Sequence, residues 1–431
     1  MPNGPSNEAS AGMWPKLAHF RRAAPYTIDV PVFSPFIGLR YSDRSTSEDV
    51  VAPPYDVVSD AQRLALEARH PHNSVRLDFP HGKTDPGAYE GVAALVRQWE
   101  NLNVLVVDSV PTFTVYRMTA VLGGRTTTTT GVLGALTLEE PGSGDILPHE
   151  QTTPKDKADR LSLLRSARLN TSPIWGLSLS SGLGALCAEL THRAADFAAT
   201  DEGVLHEAWI VADTAAGQAL SATVASAPVV IADGHHRLET ALAYQHERSV
   251  DDEGAKAILA YLVELAPEEL EIRAIHRLID APPGVDVLDV LRPFFTLTPT
   301  DPATATTVDQ LPAKRSLAVV TPAGTWLAAP RPEAFDRSVE LDTERLVLAL
   351  ASNPDIAIRY HHDPRTVIDA VHEGSASAGV FVRPVQIDQI RNVAQTRTRM
   401  PPKATFFFPK PRTGVVFRPL DVPTRNSFVD H

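Results

Sequence analysis

Residues 228–242 constrain the fold of this chain more than any other stretch: Pro228-Val229-Val230-Ile231-Ala232-Asp233-Gly234-His235-His236-Arg237-Leu238-Glu239-Thr240-Ala241-Leu242. A short β-branched run ends at Asp-Gly, and a helix-forming segment begins immediately afterwards. A strand that feeds a helix this way belongs to a mixed α/β fold. The turn aims the first backbone N–H groups of the helix outward, where they can hold an anion. Gly234 lets the backbone approach a ligand closely, and Arg237 offers a planar fork for phosphate or carboxylate oxygens. Asp233 is placed to hold a metal ion or take a proton. Asp-Gly is also a common turn and Asp a common helix cap, but two histidines and an arginine are more than a cap requires.

With 431 residues the chain is long for one core and comfortable for two or three domains. The formal net charge of −12, from 40 Lys+Arg against 52 Asp+Glu, argues against general binding to nucleic acid or an anionic membrane, while leaving room for a local basic site. Cys187 is the only cysteine, so no intrachain disulfide can form, and its apolar neighbours mark it as a packed helical thiol. No apolar run reaches the ~18 to 20 residues of a membrane span. The opening residues are polar and small-residue rich without the apolar core of a secretory signal. They read as a loose tail (1–26), and the protein is expected to be cytoplasmic.

Three blocks are expected: that tail, a core over 27–285 with a central insertion, and a C-terminal α/β domain over 286–431 that contributes a basic Pro-rich segment to the site. Pro53-Pro54 forces an extended approach, after which Ser59 or Asp60 caps a helix to about Arg69. An apolar stripe of Tyr89, Ala93, Leu95, Val96 and Trp99 predicts a helix over 86–102. Residues 112–121 and 125–138 alternate like a hairpin joined at Gly123-Gly124, so the Thr126 to Thr130 run is a strand face. A helix over 155–168, a strand over 174–179, a helix over 184–194 and strands over 257–264 and 272–278 follow, and Pro/Thr-rich sequence over 282–302 reads as a boundary. The last third alternates strands (317–320, 326–329, 378–382) with helices (342–351, 364–373, 387–395).

Two further stretches carry chemistry. His149-Glu150 suggests a zinc-protease helix, but position 153 is threonine where that motif needs a second histidine, so Glu150 reads instead as a general base or magnesium ligand. Residues 397–410 bracket an aromatic strand with prolines and surround it with cations; Arg399 and Lys403 are the expected phosphate contacts. His276-Arg277 ends an apolar segment and is a candidate for touching ligand.

Together these segments resemble a bacterial family catalogued as domain of unknown function 1015. The resemblance is carried by Val51-Ala52-Pro53-Pro54-Tyr55-Asp56-Val57-Val58-Ser59, by His149-Glu150 with Thr152 or Thr153 and then Asp159-Arg160, by Ser172-Pro173-Ile174, by Ala232 through Arg237, by His276-Arg277 and by residues 399–410. The Asp-Gly-His-His-Arg box is similar, at superfamily level, to the nucleotide-binding motif of the ParB/sulfiredoxin fold, which includes ParB partition proteins, sulfiredoxins and free-serine kinases. The resemblance implies a ParB/sulfiredoxin-like nucleotide-binding core with inserted or appended α/β segments. It also implies a kinase that phosphorylates a small hydroxylated metabolite, such as free serine, from ATP or ADP (or CTP) with Mg²⁺. Gly234, His235, Arg237, Arg399 and Lys403 would then hold the nucleotide. Asp233, Glu150 and His236 would be catalytic, with Asp233 and Glu150 on the metal, and Tyr55, Asp56, His276 and Arg277 would meet the acceptor. The rival expectation is a nucleotide-binding regulator without kinase activity.

Overall fold

The computed structural model describes residues 30–43, 47–80, 87–122, 124–148 and 157–421. The expected tail, together with His149 and Glu150, lies outside the described residues. Two sheets carry the fold. The larger has nine strands, running Ile146–Pro148, Val229–Asp233, Ile174–Ser178, Ala257–Glu264, Arg125–Thr137, Phe113–Leu122, Val204–Val211 and Phe197–Asp201 from one edge to the other, with Phe33–Ser34 paired to Arg125–Thr137. It is mixed: Val229–Asp233 runs parallel to Ile146–Pro148 and antiparallel to Ile174–Ser178, which in turn is parallel to Ala257–Glu264.

The motif strand is apolar on both faces because both are covered, as the near-continuous hydrophobic run requires. Val230 and Ala232 join a cluster with Trp175, Leu177, Tyr261 and Phe407. Val229 and Ile231 face the other way, into a cluster with Leu238, Ala241 and Leu242 of the following helix, His235–Glu247. The threonine-rich hairpin forms as expected, with Leu122 opposite Arg125 and Gly124 at φ +83°. Ser59 caps Asp60–Arg69 through a reciprocal pair, its Oγ accepting from Gln62 N (3.3 Å) and its N–H donating to Gln62 Oε1 (2.9 Å). Cys187 is buried, which pushes its thiol up to about 12.

The second sheet is antiparallel with six strands, ordered Phe295–Thr300, Gly324–Pro330, Leu317–Thr321, Ala378–Phe381, His276–Asp280 and Ala357–His361. It departs from the sequence expectation in three ways. The segment read as one strand over 272–278 is two strands in different sheets, Glu271–Arg273 and His276–Asp280. The Pro/Thr-rich boundary over 282–302 holds the helix Val287–Leu291 and the edge strand Phe295–Thr300, where proline is tolerated. The chain end does not stay with this unit: Met400, Ala404, Phe407, Val415 and Val416 pack into the first core, and Arg418–Pro419 pairs with Leu169–Asn170. Two strands, Phe197–Asp201 and Val204–Val211, and the helix Thr214–Ala225 lie in a region with no periodic element expected. No described helix is long and apolar enough to cross a membrane.

Two histidines are buried in these cores. His206 shares a 2.7 Å hydrogen bond through Nδ1 with the Tyr116 hydroxyl, and His276 packs edge-on to Phe381 at 4.9 Å. Burial, reinforced by Arg412 at His206 and by Arg277 and His362 at His276, lowers both from near 6.5 to about 3. A lowered histidine leaves the unfolded chain binding the proton first, so stability is full above about pH 6.5 and falls as pH drops towards 3. Each histidine contributes about 1.4 kcal/mol per pH unit in that window. Urea unfolding at pH 7 and pH 5 is expected to show this loss, and a His206→Gln, His276→Gln double variant should flatten it. An unchanged slope in that variant would refute the assignment.

Candidate functional site

The site begins where the motif strand ends. The register between Val229–Asp233 and Ile174–Ser178 shifts between Ile231 and Asp233, so that Asp233 pairs with Trp175 at the very end of the strand. Gly234 then caps the helix at φ +86°, ψ +27°. A Cβ there would sit 3.0 Å from Ile174 Cγ2 and 3.1 Å from Arg237 Cζ, so glycine is required by backbone and by space. Gly234→Ala is expected to cost about 1–2 kcal/mol and to displace the Arg237 guanidinium. A denaturant titration measures the first effect and a phosphate titration the second. The first intrahelical bond runs from Leu238 N–H to Gly234 O (3.0 Å), so the N–H groups of the preceding turn lie at the mouth of the helix, where its dipole favours negative charge.

Two cations converge on Asp233. Arg237 Nη2 donates to Oδ2 at 2.9 Å, and Lys410 Nζ is paired with Oδ1. Burial by itself would raise this carboxyl, but Lys410, Arg237 and His235 together hold it well below the usual carboxylate range. Arg237 also donates through Nη1 to Pro173 O and, at 3.4 Å, to Ser172 Oγ, while its Nε is buried without a hydrogen-bond partner. Lys410 comes from the segment after Phe406–Phe408, which pairs with Glu271–Arg273 and seats Phe407 against Trp175 (5.6 Å between rings).

A second carboxylate organises the wall beside them. Asp78, 2% exposed, accepts from Thr171 Oγ1 (2.6 Å) and Ser172 Oγ (3.3 Å) on one oxygen, and from Tyr55 N (3.1 Å) and Thr413 Oγ1 (3.3 Å) on the other. Arg160 donates to the Asp78 carbonyl (2.6 Å), binds Asp159 (2.8 Å) and lies 4.0 Å over the Tyr55 ring. Burial raises the Tyr55 hydroxyl although Arg237 and Arg160 pull the other way, so Tyr55 stays protonated. A narrow cavity of about 40 Å³, lined by Tyr55, Asp78, Arg160, Ser172, Arg237 and Thr240, lies between these groups.

Of the residues singled out from the sequence, Tyr55, Asp56, Asp233, Gly234, His235 and Arg237 share this neighbourhood, with the charge of Asp56 acting directly on Arg237. His236 is the second residue of the motif helix and half-buried. Arg399 and Lys403 do not supply the cation at Asp233. Arg399 is exposed beside a cavity with Leu147, Pro148 and Val230, on the sheet face opposite the motif helix, and Lys403 is exposed at φ +59°. His276 and Arg277 belong to the second sheet, Arg277 stacking on Tyr360 at 4.9 Å. From His361, the strand partner of His276, a ladder of rings leads to Lys410: His361 on His362 (5.3 Å), His362 on Phe406 (4.7 Å), and Lys410 over Phe406 (5.2 Å). Glu150 lies outside the described residues. Among the described residues no cluster of His, Cys, Asp and Glu is arranged to hold a metal ion, and both Asp233 oxygens are engaged by cations.

A family model described as "Protein of unknown function (DUF1015)" matches residues 33–346. The chain belongs to that family. No curated protein matches this DUF1015 chain. Solved structures similar to it include a conserved hypothetical protein from Pyrococcus furiosus, at 11% identity and TM-score 0.37, covering 64% of this chain and 93% of that one. A free serine kinase in complex with AMP matches at 11% identity and TM-score 0.35, covering 61% and 83%. A C-terminally truncated SbnI from Staphylococcus aureus matches at 11% identity and TM-score 0.39, covering 65% and 85%.

Sequence reasoning on this DUF1015 chain placed Lys410 in the cationic 397–410 stretch without assigning it a contact, and missed Asp78. Lys410 follows the aromatic triplet Phe406-Phe407-Phe408. Its position was readable once that triplet is a strand with Phe407 inside, since the chain is then anchored close to the motif turn. Asp78 is an acidic residue inside the apolar run Val75-Arg76-Leu77-Asp78-Phe79, which is the pattern of a buried, fully bonded carboxylate.

Proposed function

We propose that this chain is a nucleotide-dependent phosphotransferase acting on the hydroxyl of a small metabolite, with free serine among the acceptors. The observation that carries the reading is the pairing of Arg237 and Lys410 on one carboxylate at the mouth of a glycine-capped helix. Asp233 holds the two cations side by side, as phosphate oxygens would, in front of a helix start that favours anions. Phosphoryl transfer needs mainly positioning and charge neutralisation, and Arg237 and Lys410 supply both. The nucleotide is ATP or ADP, with CTP the third candidate, and the first core takes the role of a ParB/sulfiredoxin-like nucleotide-binding unit. Tyr55 and Asp56 border the acceptor. Asp233, held ionised by two strong partners, serves as the anchor of those cations and is a poor proton acceptor. The base is then Glu150 or His236. Mg²⁺ does not fit Asp233 while Lys410 and Arg237 occupy its oxygens, so no step is assigned to it.

The saturated state of Asp233 favours a second reading, a nucleotide-binding regulator in which phosphate displaces the carboxylate from its cations without turnover. Incubating the purified protein with ATP, ADP or CTP, with and without Mg²⁺, and pooled hydroxy amino acids and hydroxy acids separates the two by mass spectrometry. A new phosphorylated product that disappears in Arg237→Ala supports the kinase. Nucleotide binding without an acceptor-dependent product selects the regulator, and absence of nucleotide binding refutes both.

A further inference from the structure

A cavity of about 360 Å³, within the range of small-molecule sites, lies beside the second sheet's helices, with Leu341 and Val385 of its wall packed into the first core. It lies between the turn after Thr307–Lys314, the start of Asp342–Leu350 and the start of Ile387–Thr396. Leu341 caps Asp342–Leu350 and supplies no side-chain bond to its first turn, while the Glu344 carboxylate turns back to the Leu341 backbone; the first intrahelical bond is Arg345 N–H to Leu341 O (3.1 Å). Thr343, in that turn and 2% exposed, lines the cavity with its hydroxyl buried and without a hydrogen-bond partner. A buried hydroxyl left unbonded is costly, which points to a partner supplied from outside the chain.

The charges agree. Arg315, Arg345 and Arg383 face Glu340 and Asp342 across this cavity. Asp342 is already satisfied by Arg383, through its backbone N–H (3.0 Å), Nε (2.8 Å) and Nη2 (2.5 Å). Arg345 reaches Asp342 only at 3.7 Å, and its Nε is buried without a hydrogen-bond partner. Exposed Arg315 stands at the rim. A guest would meet exposed Arg315, Arg345 shared with Asp342 (3.7 Å) and the Phe335 ring (5.9 Å), and the Thr343 hydroxyl, opposed by Glu340 at the edge and Glu344 in the helix's first turn. We infer that this cavity binds a small anionic metabolite bearing a phosphate or carboxylate group, held by Thr343, Arg345 and Arg315. It is a second ligand site, separate from the one at Asp233 and independent of its function.

Calorimetric titration of the full chain with inorganic phosphate and with citrate tests this, in a Lys410→Ala background that removes a cation of the first site. Binding of either probe is expected, and the stronger of the two identifies the anion class. Thr343→Val, which keeps the shape and removes the hydroxyl, and Arg315→Ala, which alters an exposed side chain, should each lower the affinity about tenfold. Arginine footprinting with phenylglyoxal gives a second readout, in which the bound probe should protect Arg345. No binding of either probe, or binding that neither substitution weakens, overturns the inference. Loss of nucleotide binding at Asp233 with these results intact would sink only the function proposed above.

Discussion

Lys410→Ala is expected to weaken nucleotide binding about a hundredfold while the protein remains folded, because one of the two charge-assisted contacts to phosphate is removed at a site closed off from water. Lys410 is 8% exposed and spans two parts of the chain, from the strand-bearing segment Phe406–Phe408 to the motif turn. Asp233 keeps Arg237 in this variant, so the cost in stability should stay near 1 to 2 kcal/mol. Lys410→Arg should recover part of the affinity by restoring the charge. Asp233→Ala makes the opposite test. It strands two cations and lowers stability, yet it also removes the internal carboxylate that competes with phosphate for them. Added phosphate should therefore raise the melting temperature of Asp233→Ala more than that of the unmodified protein. Fluorescent-nucleotide titration and thermal shift measure both; unchanged affinity in Lys410→Ala would place the phosphates elsewhere.

Asp78→Ala is expected to be the most damaging single change in stability, by about 3 to 4 kcal/mol. Its two oxygens accept from four groups on separate parts of the chain: Tyr55, Thr171, Ser172 and Thr413. Truncation leaves these buried donors unbonded and reduces the pairing of buried Arg160 to Asp159. The loss should reach the site as well, since Ser172 contacts Arg237. Asp78→Asn keeps the shape and two acceptor positions, so about half the loss is expected from it. Equilibrium urea unfolding of the two variants gives the comparison, and a cost below about 1 kcal/mol for Asp78→Ala would show that the hub is dispensable.

Much of the local structure was legible because local rules govern it. The Ser59 cap, the hairpin through Gly124, the strand Ala257–Glu264 and the turn at Asp233-Gly234 each follow from side chains within a few residues of one another. The split of 272–278 between two sheets was not legible, since both halves are apolar enough for a strand and nothing local assigns them different partners. The strands Phe197–Asp201 and Val204–Val211 escaped for a related reason: alanine-rich, mixed sequence such as Ala198-Ala199-Thr200 becomes strand through pairing with Val204–Val211, itself paired to Phe113–Leu122, rather than by propensity.

The candidate site divides along the same line. Sequence alone determined the strand, the glycine, the helix and the arginine at its first turn; the pairing of Asp233, the last residue of the strand, with Arg237 on the helix depends on the left-handed turn at Gly234 between them. Only the tertiary structure decided which cation of the 397–410 segment completes the site. Arg399, Lys403 and Lys410 are chemically similar, and what distinguishes Lys410 is the long-range pairing of Phe406–Phe408 with Glu271–Arg273, which carries the chain past Asp233. The tertiary structure likewise set the part played by Asp233. A carboxylate in a sequence is free to be base, ligand or anchor. Two buried cations closing on its oxygens keep it ionised and make it the anchor.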